Sequence, residues 1–123
     1  MNVAMGLLVL RVLAGIGILT HGIAKVRDLK GTQAWMRSIG FPSIAGIVAA
    51  FVETLGGILL ILGVATQWVA LALLINMFGA LFYHLREKQS FKQMEDAYLY
   101  ATIFLVLALA GGGAWQLFSL ALF

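Results

Sequence analysis

Long apolar runs alternate along the chain with short polar connections. The runs cover approximately residues 3–24, 44–62, 68–85 and 91–110. Each is near the ~20 predominantly apolar residues that a helix needs to cross a bilayer. None shows the period-two alternation of a membrane β-strand. The pattern predicts an all-α integral membrane four-helix up-down bundle, with residues 1–123 forming a single membrane domain.

The connections carry further signals. In loop one, Thr32 can cap a short interfacial helix, Trp35, Met36 and Ile39 share one of its faces, and Gly40 with Pro42 ends it. A membrane-surface anchor is the expected role. Before the fourth span, Ser90 and Gln93 have capping-box spacing, so a helix starting at Phe91 places Glu95 and Asp96 in its first turns, where the dipole favours negative charge. Gly111, Gly112 and Gly113 break that helix and leave a short C-terminal tail, with Trp115 expected along the outer interface together with Trp68. Small residues at Ala45, Ala49, Gly46, Ala50, Gly56, Gly57 and Gly79 suit close helix packing, or make room for a ligand.

Composition agrees with the pattern and narrows the chemistry. With 63% hydrophobic residues, 11% charged and a mean hydropathy of +1.03, the chain lacks the polar surface of a soluble domain. It has no internal repeat, low-complexity segment or appended soluble domain. The start has neither a basic n-region nor a small-x-small cleavage site, so the first run is expected to be a retained span. Without cysteine there is no thiol–disulfide exchange and no thiolate metal site, which excludes a four-helix quinone-linked disulfide enzyme. The net charge of +3 reflects topology, not a nucleic-acid partner. Lys25, Arg27, Lys30 and Arg37 lie in loop one and Arg86, Lys88 and Lys92 in loop three, while loop two has no charge. The positive-inside rule puts loops one and three in the cytoplasm and both termini outside.

Ionisable groups inside the hydrocarbon core face a partner, a bundle interior or water. Counted at ~1.5 Å per residue from the middle of each span, Arg11, Glu53 and Asn76 fall within about 5 Å of the midplane. An internal Arg11–Glu53 ion pair, with Asn76 adding hydrogen bonds, would neutralise both charges. It would fix helix register, or form part of a ligand or proton site centred on Glu53. Nearer the cytoplasmic rim, His21, Lys25, His84 and Glu95 can converge from three spans. Two histidines at similar depth could ligate haem or a metal, but no helix carries a ligand-spaced pair; hydrogen bonds to Lys25, Glu95 or water are the expected role, with no metal and no covalently bound cofactor. Phe78, Phe82, Tyr83, Tyr98 and Tyr100 form an aromatic wall that would suit a quinone, and that equally serves as bundle filler.

These residues carry a resemblance. His21, Gly22 and Lys25 end the first span; Gly40, Phe41 and Pro42 precede the second, which holds Glu53, Thr54, Leu55, Gly56 and Gly57 and closes at Gly63; His84 ends the third and Glu95 opens the fourth. The ordered set, covering nearly the whole chain, resembles the DoxX family of small four-span bacterial membrane proteins. The resemblance implies a bacterial inner-membrane location and association with oxidoreductase systems. One related branch supplies the DoxD subunit of a thiosulfate–quinone oxidoreductase, and others accompany oxidative or quinone stress. It also implies His21, Lys25, Glu53, His84 and Glu95 as site positions. The chain departs from the family near its end, where Gly111 to Gln116 replace a Gly-Pro-Gly-like turn followed by a basic residue, Ser and Asp.

Three functions are therefore expected candidates. The first is a membrane component of a redox system that binds a quinone-like molecule, with a soluble redox partner on the basic loops. The second is a non-catalytic scaffold or assembly subunit docking a soluble partner, with a homo-oligomer as a further candidate assembly. The third is a small proton-coupled exporter. The chain has no nucleotide-binding fingerprint, so electrons in the first case come from a partner or from the quinone.

Overall fold

The computed structural model describes residues 2–119. Among them are five helices, α1 (Val3–Arg27), α2 (Leu29–Ser38), α3 (Ser43–Leu62), α4 (Thr66–Arg86) and α5 (Phe91–Ala110). α1, α3, α4 and α5 are long and apolar enough to cross a membrane and form an up-down bundle, with α2 as a short additional helix between the first two spans. One end of the bundle holds α2 and the α4–α5 loop and is called the basic end; the other, holding the α3–α4 turn and the start of α1, is the terminal end.

α1 packs closely on α3 because small residues let their backbones meet. A Cβ on Gly15 would lie 2.8 Å from the Gly57 carbonyl oxygen, and one on Gly22 2.5 Å from the Thr54 amide nitrogen. These contacts fix the register of the two antiparallel helices. α3 meets α4 where Leu73 fills the space above Gly56. α4 and α5 share a dry core of Leu73, Leu74, Phe104, Leu107 and Ala108, and the Gln67 side-chain amide donates to the Ala108 carbonyl at 2.9 Å. The contact between α1 and α5 is much the slightest of those around the bundle.

α3 ends where Gly63 takes a left-handed conformation (φ 76°), with Gly63 N and Val64 N both donating to the Leu59 carbonyl. α5 starts at Phe91, with Gln93 Oε1 accepting from Ser90 N at 3.0 Å.

Two sequence expectations need correction. α2 is capped by Asp28, whose Oδ1 accepts from Gly31 N at 3.0 Å; Thr32 lies inside the helix, its hydroxyl donating to the Asp28 carbonyl. The capping side chain must precede the first turn to reach its free N–H groups, and Asp28 is the residue placed to do so. The tail is also more than an interfacial segment. Leu117 N and Phe118 N donate to the Leu62 and Gly63 carbonyls, and Ala65 N donates to the Phe118 carbonyl. The tail thus folds back over the α3–α4 turn, satisfying backbone groups there, although the Trp115 ring stays exposed. Residues 120–123 of the expected tail lie outside the described residues.

Candidate functional site: a polar chamber at the basic end

A cavity of about 690 Å³ opens among all five helices at the basic end. α2 lies over it, with Thr32 and Met36 seated on Gly46 of α3, where a Cβ would come within 3.0 Å of Thr32 Cγ2. Trp35, Met36 and Ile39, expected to anchor α2 on the membrane surface, line this cavity. They share a face as the spacing required, and that face covers the chamber.

α2 is tied to the end of α4 by aromatic and cationic contacts. The Arg86 guanidinium donates to the Ile39 carbonyl and lies over the Phe41 ring, 5.0 Å from its centroid. Trp35 meets Tyr83 edge to face at 5.4 Å. Gly40, at φ 85°, makes the turn after α2 that brings Phe41 within reach of Arg86.

Glu53 is the charged centre of the chamber. Its Oε2 accepts from Lys25 Nζ at 2.6 Å and from Asn76 Nδ2 at 2.8 Å. The Glu53 side chain is 2% exposed and that of Lys25 is 32% exposed, so the ammonium also faces the cavity. Glu53 Oε1 is buried and has no hydrogen-bond partner among the described residues. A carboxylate has about four acceptor positions, and the contacts to Lys25 and Asn76 use two of them, both on Oε2. Leaving a buried atom such as Oε1 unsatisfied costs roughly 1–3 kcal/mol or more, and a group kept in that state is suited to an incoming donor.

The expected Arg11–Glu53 pair is not formed. Arg11, 2% exposed, donates instead from Nη1 to the Gly112 carbonyl at 2.8 Å and from Nη2 to the Trp115 carbonyl at 2.7 Å. Its guanidinium carbon lies where a Cβ on Gly63 would be only 2.9 Å away. Gly63 is ten positions beyond Glu53, about 15 Å along α3 at the helical rise. Two causes combine. The Gly15–Gly57 contact sets Arg11 opposite the end of α3, whatever the span midpoints suggest. Long side chains also lean toward the N-terminus of their own helix, carrying Arg11 to the terminal end and Lys25 down into the bundle beside Glu53.

The remaining predicted residues divide. His21 and His84 both line the chamber, but each has its own neighbour: His21 packs edge to face on Tyr100 at 5.7 Å, and His84 Nδ1 hydrogen-bonds Gln89 Oε1. Among the described residues no three His, Cys, Asp or Glu side chains are grouped to hold a metal. Glu95 is exposed and does not line the chamber; Asp96, one position on, does. One residue turns a helical side chain by about 100°, so the acidic pair could not be resolved without the rotation of α5. The aromatic wall also splits. Tyr83 and Tyr100 line the chamber, whereas Phe78, Phe82 and Tyr98 are about half exposed on the outside of the bundle.

Asp28 is a chamber residue that the sequence reading did not single out. Asp28 caps α2 and lines the chamber. A Cβ on Gly79 would meet nothing within 4 Å, so this glycine leaves open space in the chamber wall and is not a helix-packing contact. Of the small residues read as packing sites, Gly46, Gly56 and Gly57 do touch neighbouring helices.

The sequence profile of the DoxX family matches residues 6–86, which include His21, Lys25, Glu53, Asn76 and His84 but not Asp96 or Tyr100. The chain is also 38% identical over 76 residues to CatD of Bacillus subtilis (strain 168), a protein that carries the name of an oxidoreductase. The matched region is 62% of this chain and 57% of that relative, so the chain spans little more than half of CatD. No solved structure matches it.

Proposed function

This chain belongs to the DoxX family, and on that premise we propose that it is the membrane component of an oxidoreductase system, binding a quinone-like molecule in the chamber beside Glu53. The observation carrying this reading is the buried Glu53 Oε1, which lacks a partner among the described residues while Oε2 is held by Lys25 and Asn76. A ligand hydroxyl can donate to Oε1 once a small rotation of the carboxylate turns that buried atom toward the chamber, and a ligand carbonyl can accept from the Lys25 ammonium, which has three donors and uses one on Glu53. The pair therefore has a group for each oxidation state of a quinone head. Tyr83, Tyr100 and Trp35 offer ring faces and edges for a flat molecule, and a cavity of about 690 Å³ lies within the range of small-ligand sites. Glu53 on α3 and Asp96 on α5 both line the chamber and give two carboxylates for moving a proton. Electrons enter from a partner or leave on the quinone.

The basic residues at this end of the bundle support an orientation with the chamber in the cytoplasmic half of the membrane. Arg27, Lys30, Arg37, Lys88 and Lys92 are exposed and have no ion pair among the described residues. They supply a docking surface for an acidic soluble partner, which is also the feature that a scaffold subunit would use.

Titration of the purified protein with a tail-less naphthoquinone and its reduced form tests the reading. Glu53→Gln is expected to weaken binding of the reduced form at least tenfold, and Tyr83→Ala to weaken both forms. Equal, negligible binding by the unaltered protein and both variants would leave the scaffold role as the better account.

A further inference from the structure

A second cavity, of about 800 Å³, lies on the outer surface of the bundle along the seam between α1 and α5. These two helices make the slightest contact around the bundle, so the groove between them is open to the side. Met5, Val9, Leu10 and Leu13 of α1 and Leu99 and Ile103 of α5 make it almost wholly apolar. From Asn2 to Ala14 it follows α1 for about 18 Å at the helical rise.

The groove and the polar chamber share two lining residues, Asp96 and Tyr100. Tyr100 crosses the seam, its hydroxyl lying against Gly17 of α1 in the space that a Cβ would occupy. Its ring also contacts His21 on the chamber side and stacks on Phe104 of its own helix at 5.7 Å. Tyr100 and Asp96 thus lie between the apolar groove and the polar chamber, and at Gly17 no side chain opposes the Tyr100 hydroxyl.

We infer that the α1–α5 groove binds the apolar tail of the molecule whose polar head occupies the chamber, and that this molecule enters sideways from the membrane past Tyr100. The occupant is thus a lipid-soluble amphiphile with a flat polar head and one long unbranched or isoprenoid tail. This rests on the chamber reading above and adds to it a tail requirement and a route. Movement of Tyr100 away from Gly17 would join the two cavities without separating α1 from α3, whose glycine contacts stay intact. A head carrying hydroxyl or carbonyl groups would then pass from lipid to Glu53 without crossing the aqueous face beneath α2.

Gly6 permits a direct test. It lines the groove, and a Cβ there meets nothing within 4 Å, so a side chain can be started into the groove at this position without a clash at its first carbon. Gly6→Phe is compared with the unaltered chain in lipid nanodiscs, with Val9→Trp one turn along as a second filling variant. The probes are one naphthoquinone head without a tail and the same head with a decyl tail, with affinities expressed per concentration in the membrane. The expected result is at least tenfold tighter binding of the tailed probe to the unaltered chain, loss of that advantage in both filling variants, and unchanged binding of the tail-less probe. Equal affinity for the two probes, or a tail advantage that survives both variants, would mean that the groove holds only ordinary membrane acyl chains and would overturn the inference while leaving the chamber reading intact. Failure of the unaltered chain to bind either probe overturns both.

Discussion

Lys25 Nζ lies 2.6 Å from Glu53 Oε2, joining the end of the first span to the middle of the second inside the bundle. Lys25 neutralises a carboxylate that is nearly inaccessible to water, and Asn76 adds a second contact from α4. Removing only the cation strands the anion. Lys25→Met is therefore expected to destabilise the protein by about 3–5 kcal/mol, and Lys25→Met combined with Glu53→Leu to recover most of that loss. Thermal unfolding in detergent of the two single variants and the double variant measures the coupling. Additive losses would show that the pair is not energetically linked.

Arg11 has a separate role, clamping the tail to the end of the bundle. Arg11→Ala removes two charge-assisted hydrogen bonds to the Gly112 and Trp115 carbonyls, each worth roughly 1.5–3 kcal/mol. The expected consequence is release of the tail, detected as faster proteolysis after Gly111. Because Arg11 lies at the terminal end, about 15 Å along α3 from Glu53, head-group binding in the chamber should be unchanged in the intact fraction. A large loss of binding with an intact tail would refute this division.

Gly79→Leu should fill the chamber and leave the fold in place, since open space surrounds the added Cβ. Expression and melting temperature are expected to stay near those of the unaltered chain while affinity for a tail-less quinone falls at least tenfold. Unaltered affinity would move the site elsewhere.

Gly15→Ala has the opposite signature. Its Cβ would lie 2.8 Å from the Gly57 carbonyl oxygen, so α1 and α3 must move apart. Overpacking of this kind costs about 1–3 kcal/mol. A lower melting temperature and a weakened Lys25–Glu53 coupling are expected together, because the same register serves both. Gly6→Ala, with no neighbour to strike, is the control.

The division between legible and illegible features follows helix geometry. The count of spanning helices could be read because twenty-residue apolar runs have few alternatives in a membrane, where each backbone group must be satisfied within its own helix. The start of α5 was readable because a cap acts within four residues. Asn76 was placed beside Glu53 by depth alone, and the depth was adequate. By contrast, the choice between Glu95 and Asp96, or between Phe82 and Tyr83, depends on helix rotation, which a sequence of uniformly apolar faces leaves undefined. The tail was also misread, because its partners, Arg11 and the α3–α4 turn, are far away along the chain.

By itself, the sequence determined that this is a four-span membrane bundle with its cations concentrated at one end and a few ionisable groups inside, since composition and local periodicity govern those features. Tertiary structure decided which cation meets Glu53. Glycine contacts fix the register of α1 on α3, and the lean of each long side chain toward its helix N-terminus sends Lys25 to the carboxylate and Arg11 to the tail. Both causes act between helices, so the chamber and its unpartnered oxygen exist only once the helices are packed.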